Sequence, residues 1–206
     1  MFLLANSNYI ADFAVVLAAF ITGILSPIAM HWARSYFRPK KSYELDDHLI
    51  QDDMILKRLS IIREENRFDR IWIGQFHNGE HFYPNGRSVQ KISLTYESCK
   101  PGVSSLLKII KGLPVSVFSS FLKILIQDKI YIVHNVDDAR DVNVKTLSSF
   151  LIELGVKSYY AFAIVDIDNR FIGLLCVDAV LYKKRLTEDQ IEFLKSEAKT
   201  LAGYIA

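Results

Sequence analysis

The sequence predicts an α+β domain, an antiparallel sheet with helices on its faces, preceded by one transmembrane helix. Three observations predict it. Residues 13–30, FAVVLAAFITGILSPIAM, carry no charged side chain. From residue 45 onward the periodicities run helix–strand–strand–helix–strand–helix–strand–strand–helix. The last of these helices opens on Thr187-Glu188-Asp189-Gln190, a capping box.

The apolar run comes first. At ~1.5 Å per residue its 18 residues make a helix ~27 Å long, close to the hydrocarbon thickness of a bilayer. Tyr9 on one side, and Trp32 and Tyr36 on the other, suit the two interfaces. Pro27 in the last turn kinks such a helix without forbidding the span. A secretory signal would need a positive n-region, and residues 1–12 contain no Lys or Arg. A buried core helix seldom runs this long without a polar face. The reading is therefore a short extracytoplasmic N-terminus over 1–12 and a single anchor over 13–33. Arg34, Arg38, Lys40 and Lys41 follow with no acid among them. The positive-inside bias then puts the rest of the chain in the cytoplasm, at the inner membrane. The same four charges can also hold anionic headgroups, at about 1 kcal/mol each.

Residues 34–50 read as a basic juxtamembrane segment and the start of a stalk helix, and 51–206 as the folded domain. The stretch from Leu45 to Asn66 has no Gly or Pro. Leu45, Leu49, Leu56 and Leu59 share one stripe, broken by Asp52, with Met54, Ile55 and Ile62 beside it. Such a helix packs on its own domain or on a second copy. RIWIGQFH, 70–77, alternates as a strand, and SVQKISLTY, 88–96, is a second. VSVFSSFLKILIQ, 115–127, reads as a mostly buried helix, and KIYIVH, 129–134, as a short strand. A helix over 144–154 ends at Gly155, which suits a C-cap. Strands 158–166 and 170–178 flank the polar tip Ile167-Asp168-Asn169. In the last helix Ile191, Leu194, Ala198, Leu201 and Ile205 recur on one face, and Leu186 with Ile191 can form a hydrophobic staple.

Composition removes several functions. A net charge of +2, with no interleaving of basic and aromatic residues, gives no sign of a nucleic-acid groove. Two cysteines, Cys99 and Cys176, are too few for a disulfide framework or a zinc cluster. Cys176 sits in an apolar strand, where an inert thiol is usual, and Cys99 is the more exposed. Neither completes a redox set, so no enzyme activity is expected. Asp137, Asp138 and Asp141 form an acidic turn better suited to capping the next helix than to calcium.

The element order resembles that of a GAF domain, a small-molecule-sensing relative of the PAS fold. The likeness rests on IYIVHNVDDARD, ELGVKSYYAFAIVD, DNRFIGLLCVD with Gly173 at the family's characteristic glycine, and LTEDQIEFLKSEAKTLAGYIA. It implies a sensory or regulatory module that binds a small ligand between sheet and helices, or that only dimerises. The Asn-Lys-x-Phe-Asp-Glu run of cyclic-nucleotide-binding members is absent, and neither cysteine has the neighbouring histidine of bilin-binding members. The resemblance therefore names no cofactor. The run FHNGEHFYPNGRSVQKISLTYE resembles membrane-anchored proteins of bacteria and tailed phages, which implies relatives but no chemistry.

QFHNGEHFYPNG, 75–86, holds the remaining signal. Its two Asn-Gly pairs can each turn the chain, giving a roughly ten-residue excursion between strands, longer than a hairpin needs. His77 and His81 lie four apart, but Asn78-Gly79 between them opposes the helix that would put both on one metal. A structured loop is the simpler reading; ligand or partner contact through His81, Phe82 and Tyr83 is the functional one. The expected partners are the bilayer, a second copy of the chain, and a small molecule or another protein.

Overall fold

In the computed structural model, residues 45–81, 88–138 and 144–205 are described. The expected anchor over 13–33, the basic set Arg34, Arg38, Lys40 and Lys41, and Phe82, Tyr83, Asp141 and the His81 side chain lie outside them. Among the described residues no helix is long and apolar enough to cross a membrane. One compact unit runs Asp46–Ala206.

Its elements are α1 (Leu45–Glu65), β1 (Arg70–His81), β2 (Ser88–Cys99), β3 (Leu113–Pro114), α2 (Ser119–Asp128), β4 (Ile130–Val133), α3 (Lys145–Glu153), β5 (Ser158–Val165), β6 (Phe171–Ala179) and α4 (Glu188–Ile205). One six-stranded sheet, in the order β3-β2-β1-β6-β5-β4, is antiparallel throughout. Alternation along the strands divides the apolar side chains between two cores. Trp72, Ile92, Leu94, Tyr159, Ala161, Leu174 and Cys176 face α2, α3 and the 100–112 segment. Ile71, Ile73, Tyr160, Phe162, Leu175 and Val177 face α1 and α4.

A bulge in β2 departs from simple alternation. Ile73 is opposite Tyr96 and Gly74 opposite Leu94, leaving Thr95 as the extra residue. Leu94 therefore points into one core and Tyr96 into the other. Tyr96 Oη donates to Asp52 at 2.5 Å, and the Ser98 hydroxyl takes the Arg63 Nε–H at 2.9 Å, so both serve α1. Asp52, which interrupts the expected stripe, is thus a docking group.

Most local expectations hold. Gln190 N–H donates to Thr187 Oγ1 at 3.3 Å and Thr187 N–H to Gln190 Oε1 at 3.2 Å, completing the capping box. Gly155 has φ +69°, and its N–H and that of Val156 bond to Ile152 and Leu151, a Schellman ending for α3. The β5–β6 hairpin turns through Asn169 at φ +60°, and Asp166 receives the Arg170 backbone N–H.

Three expectations are corrected. The 78–87 excursion is shorter than predicted, because β1 continues to His81 with Asn78 opposite Gln90 and His81 opposite Ser88. Asn78-Gly79 is no hairpin turn: Asn78 pairs with Gln90, Gly79 falls in a register shift of the ladder, and pairing resumes at His81 with Ser88. On α1, Ile55, Leu59 and Ile62 are buried while Leu49 and Leu56 face out, since the sheet offers only one line of contact. The segment 115–127 begins as a 3-10 turn over Val115–Phe118, and in α2 only Phe121, Leu122 and Leu125 are buried.

At the centre of the sheet β1 and β6 come unusually close. A Cβ on Gly173 would lie 2.6 Å from the Gly74 carbonyl oxygen, which no side chain tolerates without moving the backbone. Gly173→Ala should cost about 1–3 kcal/mol in urea denaturation. Gly203→Ala, in open space on α4, should instead be neutral or gain up to ~1 kcal/mol.

Candidate functional site

The helices α2 and α3 cover one face of the sheet and leave a cavity of about 30 Å³. Its walls include Trp72, Ile92, Leu106, Phe121, Leu122 and Tyr159, with Phe118 and Phe150 half-buried at one side. That is room for roughly one or two waters, far below the ~300 Å³ at which ordinary ligand pockets begin. Side chains fill most of the volume. Phe121 meets the rings of Tyr131 and Tyr159 at 5.1 and 6.1 Å, and Phe118 meets Phe150 at 5.5 Å. Phe121 and Leu122 occupy much of this space, whereas Phe162 lies in the opposite core.

The cavity wall has one acidic residue, Asp178. Arg70 Nε donates to Asp178 Oδ2 at 2.7 Å, Trp72 Nε1 donates to the same oxygen at 3.1 Å, and Arg70 Nη1 donates to the Ser104 carbonyl at 2.9 Å. Both charged side chains are essentially inaccessible to solvent. Among the described residues, Asp178 Oδ1 and Arg70 Nη2 have no hydrogen-bond partner, although Nη2 lies 2.6 Å from Oδ2. Burial pushes the Asp178 carboxyl above the usual carboxylate range, and Arg70 and the Trp72 N–H oppose that shift. Sequence reasoning did not find this pair. The available signal was parity: Arg70 stands two before Trp72, and Asp178 two after Cys176, on the faces those residues bury.

The histidine segment is a different kind of place. His77 and Asn78 are exposed on the two-stranded ribbon that β1 and β2 form beyond β6. His77 Nε2 lies 2.9 Å from Ser93 Oγ, and Gln90 Nε2 donates to Asn78 Oδ1 at 2.9 Å. These are cross-strand pairs of a polar ribbon. Gly79 continues the strand. Among the described residues no group of three or more His, Cys, Asp or Glu is placed to hold a metal ion.

The thiols occupy unreactive environments. Cys176 is buried 3.1 Å from Tyr159 Oη, and burial raises both groups. Cys99 is pushed up to about 11, first by burial and then by the Glu97 carboxylate. At pH 8 its thiolate fraction should fall ~100-fold below that of an ordinary thiol. Iodoacetamide labelling followed by mass spectrometry should therefore be slow in the native protein, with the Cys99 rate still rising above pH 10, and fast in urea. For the charged pair, Arg70→Met should cost about 3–5 kcal/mol in chemical denaturation, while adding Asp178→Leu should recover most of it.

No family model matches the chain, and neither does any curated protein. Solved structures do. The chain superposes on the PixJ GAF domain of Thermosynechococcus elongatus with TM-score 0.59 and 17% identity, over 80% of this chain and 89% of that one. A phycocyanobilin-bound GAF domain from a cyanobacterial phytochrome gives 0.59 and 20%, over 84% and 91%. The GAF domain region of a Geobacter sulfurreducens PCA protein named as a membrane protein gives 0.56 and 15%, over 77% and 94%. At these identities the likeness establishes architecture, and this chain has the GAF fold.

Proposed function

We propose that the chain is a membrane-anchored regulatory module that works through protein contacts, as a homodimer joined along α1 and α4. The observation that carries this reading is a stripe of exposed apolar residues on α1. Ile50, Met54 and Ile61 are 60%, 48% and 38% exposed, and their spacing of four and seven residues puts them on one face. Met54 and Ile61 line a groove of about 290 Å³ with Thr200 and Tyr204 of α4. Both helices are already fixed to the domain: Arg58 forms an ion pair with Glu197, and Gln51 donates to the Tyr204 carbonyl. A second copy would cover the stripe without repacking the core.

The uncharged run at 13–30, with the basic set after it, supports placement at the inner leaflet, where confinement to a plane raises the chance of pairing. One structural neighbour is itself named as part of a membrane protein. Neighbours named for a blue-light absorbing form and for bound phycocyanobilin favour a sensory role, and the small cavity favours contacts over a bulky chromophore as the means. A second reading, binding of a small molecule in that cavity, draws on the unpartnered oxygen of Asp178. A ligand-free variant, phage-encoded and acting on a host protein, draws on the resemblance of residues 76–97. No catalytic step is assigned.

Sedimentation velocity on residues 46–206 tests the dimer. The wild type should sediment as a dimer and Ile50→Asp/Met54→Asp/Ile61→Asp as a folded monomer, with circular dichroism unchanged. A wild type that stays monomeric at 100 μM or so, well above a micromolar Kd, removes this reading.

A further inference from the structure

A second surface stands apart from the α1 stripe. Residues 98–127 contain four of the chain's 25 basic residues and none of its 23 acids. Within them the irregular 100–112 segment is pinned along β2. Lys100 N–H donates to the Asp69 carbonyl, Leu106 N–H to Glu97 Oε1 and Gly112 N–H to Ser93 Oγ, each at 2.8 Å. Leu106 and Ile110 insert into the core. Between those two anchors Leu107, Lys108 and Ile109 point outward, with the two apolar side chains 46% and 47% exposed. Such exposure is not fraying, because both ends of the turn are fixed. Glu97, the acid that borders the segment, is turned onto the Leu106 N–H and the Ser105 hydroxyl.

A third large side chain stands at the same end of the sheet. The Asp69 carboxylate takes the N–H groups of Val180 and Leu181, while its carbonyl takes that of Lys100, so the two segments leave the sheet together. Tyr182 follows and is 79% exposed. Lys183 beside it is paired with Asp137 and adds no free charge. Lys100, Lys108 and Lys111 are exposed.

Leu107 and Ile109, framed by Lys100, Lys108 and Lys111 in a stretch without acids, with the exposed Tyr182 at the same end of the sheet, have the composition of a bilayer interface. A protein partner would more often meet a larger apolar patch with both signs at its rim. We propose that this end of the domain is a membrane-contact surface, with Leu107, Ile109 and Tyr182 entering the headgroup region and Lys100, Lys108 and Lys111 meeting anionic lipid phosphates. It goes beyond the dimer reading and does not require it; the tether, if present, only keeps the surface near its target.

The compact unit 46–206 carries both cores and lacks residues 13–33, so it isolates this surface from the apolar run. It should co-sediment with vesicles of 3:1 phosphatidylcholine and phosphatidylglycerol, and bind at least ten-fold less to phosphatidylcholine alone or in 0.5 M salt. Leu107→Ser/Ile109→Ser and, separately, Lys108→Glu/Lys111→Glu should each reduce partitioning at least ten-fold with circular dichroism unchanged. Ile152→Ser, an exposed apolar position on α3, should leave it unaltered. Absence of binding to the anionic vesicles overturns the proposal. So does loss through the lysines alone, which would leave a nonspecific electrostatic attraction, or an equal loss in the Ile152 variant. Sedimentation velocity in the absence of lipid reports on the dimer separately.

Discussion

Strands β1, β5 and β6 carry large apolar side chains on both faces, so neither face of the sheet can be left to water. That constraint sets the layout. Each face needs its own helical cover, and the chain supplies one from α2, α3 and the pinned 100–112 segment, and the other from α1 and α4. The close approach of Gly74 and Gly173 lets the two central strands meet, and the bulge at Thr95 shares the end of β2 between the two cores. The outer surfaces of the two covers then become separate places where the domain can meet other things.

The Arg70–Asp178 pair shows what this arrangement tolerates. Two charges are held out of water at the end of adjacent central strands, where desolvation costs several kcal/mol per ion before their attraction repays it. Trp72 and the Ser104 carbonyl contribute further hydrogen bonds, and through Ser104 the pair also reaches the 100–112 segment. The result is a clasp joining β1, β6 and the cover, with Asp178 reaching the wall of the cavity under α2 and α3. The cavity itself is nearly filled by aromatic and leucine side chains, which gives this face a solid core.

Helix periodicity, strand alternation and cap chemistry were legible because each is local. The capping box at Thr187, the Schellman ending at Gly155 and the three-residue hairpin before Arg170 depend on residues within five positions of one another. Less was legible where partners come from far along the chain. Asp52 looked like a flaw in an apolar stripe until Tyr96, from β2, was seen to need an acceptor there. The Asn78-Gly79 pair looked like a turn until pairing with β2 absorbed it. His77 of that segment belongs to a polar ribbon, whereas the Arg70–Asp178 pair was marked only by strand parity, which gives a face but not a partner.

By itself the sequence determined the class of fold, the order of its elements and the uncharged run that precedes them, because periodicity and capping act over a few residues. Tertiary structure decided which side of α1 is buried, how much space remains beneath the sheet, and which exposed apolar side chains are held rigidly outward. Those properties follow from pairings between separate elements, from Gly112 with Ser93 along β2 to Arg70 with Asp178 and Arg58 with Glu197, more than a hundred residues apart. No local pattern records the distance or direction of such contacts.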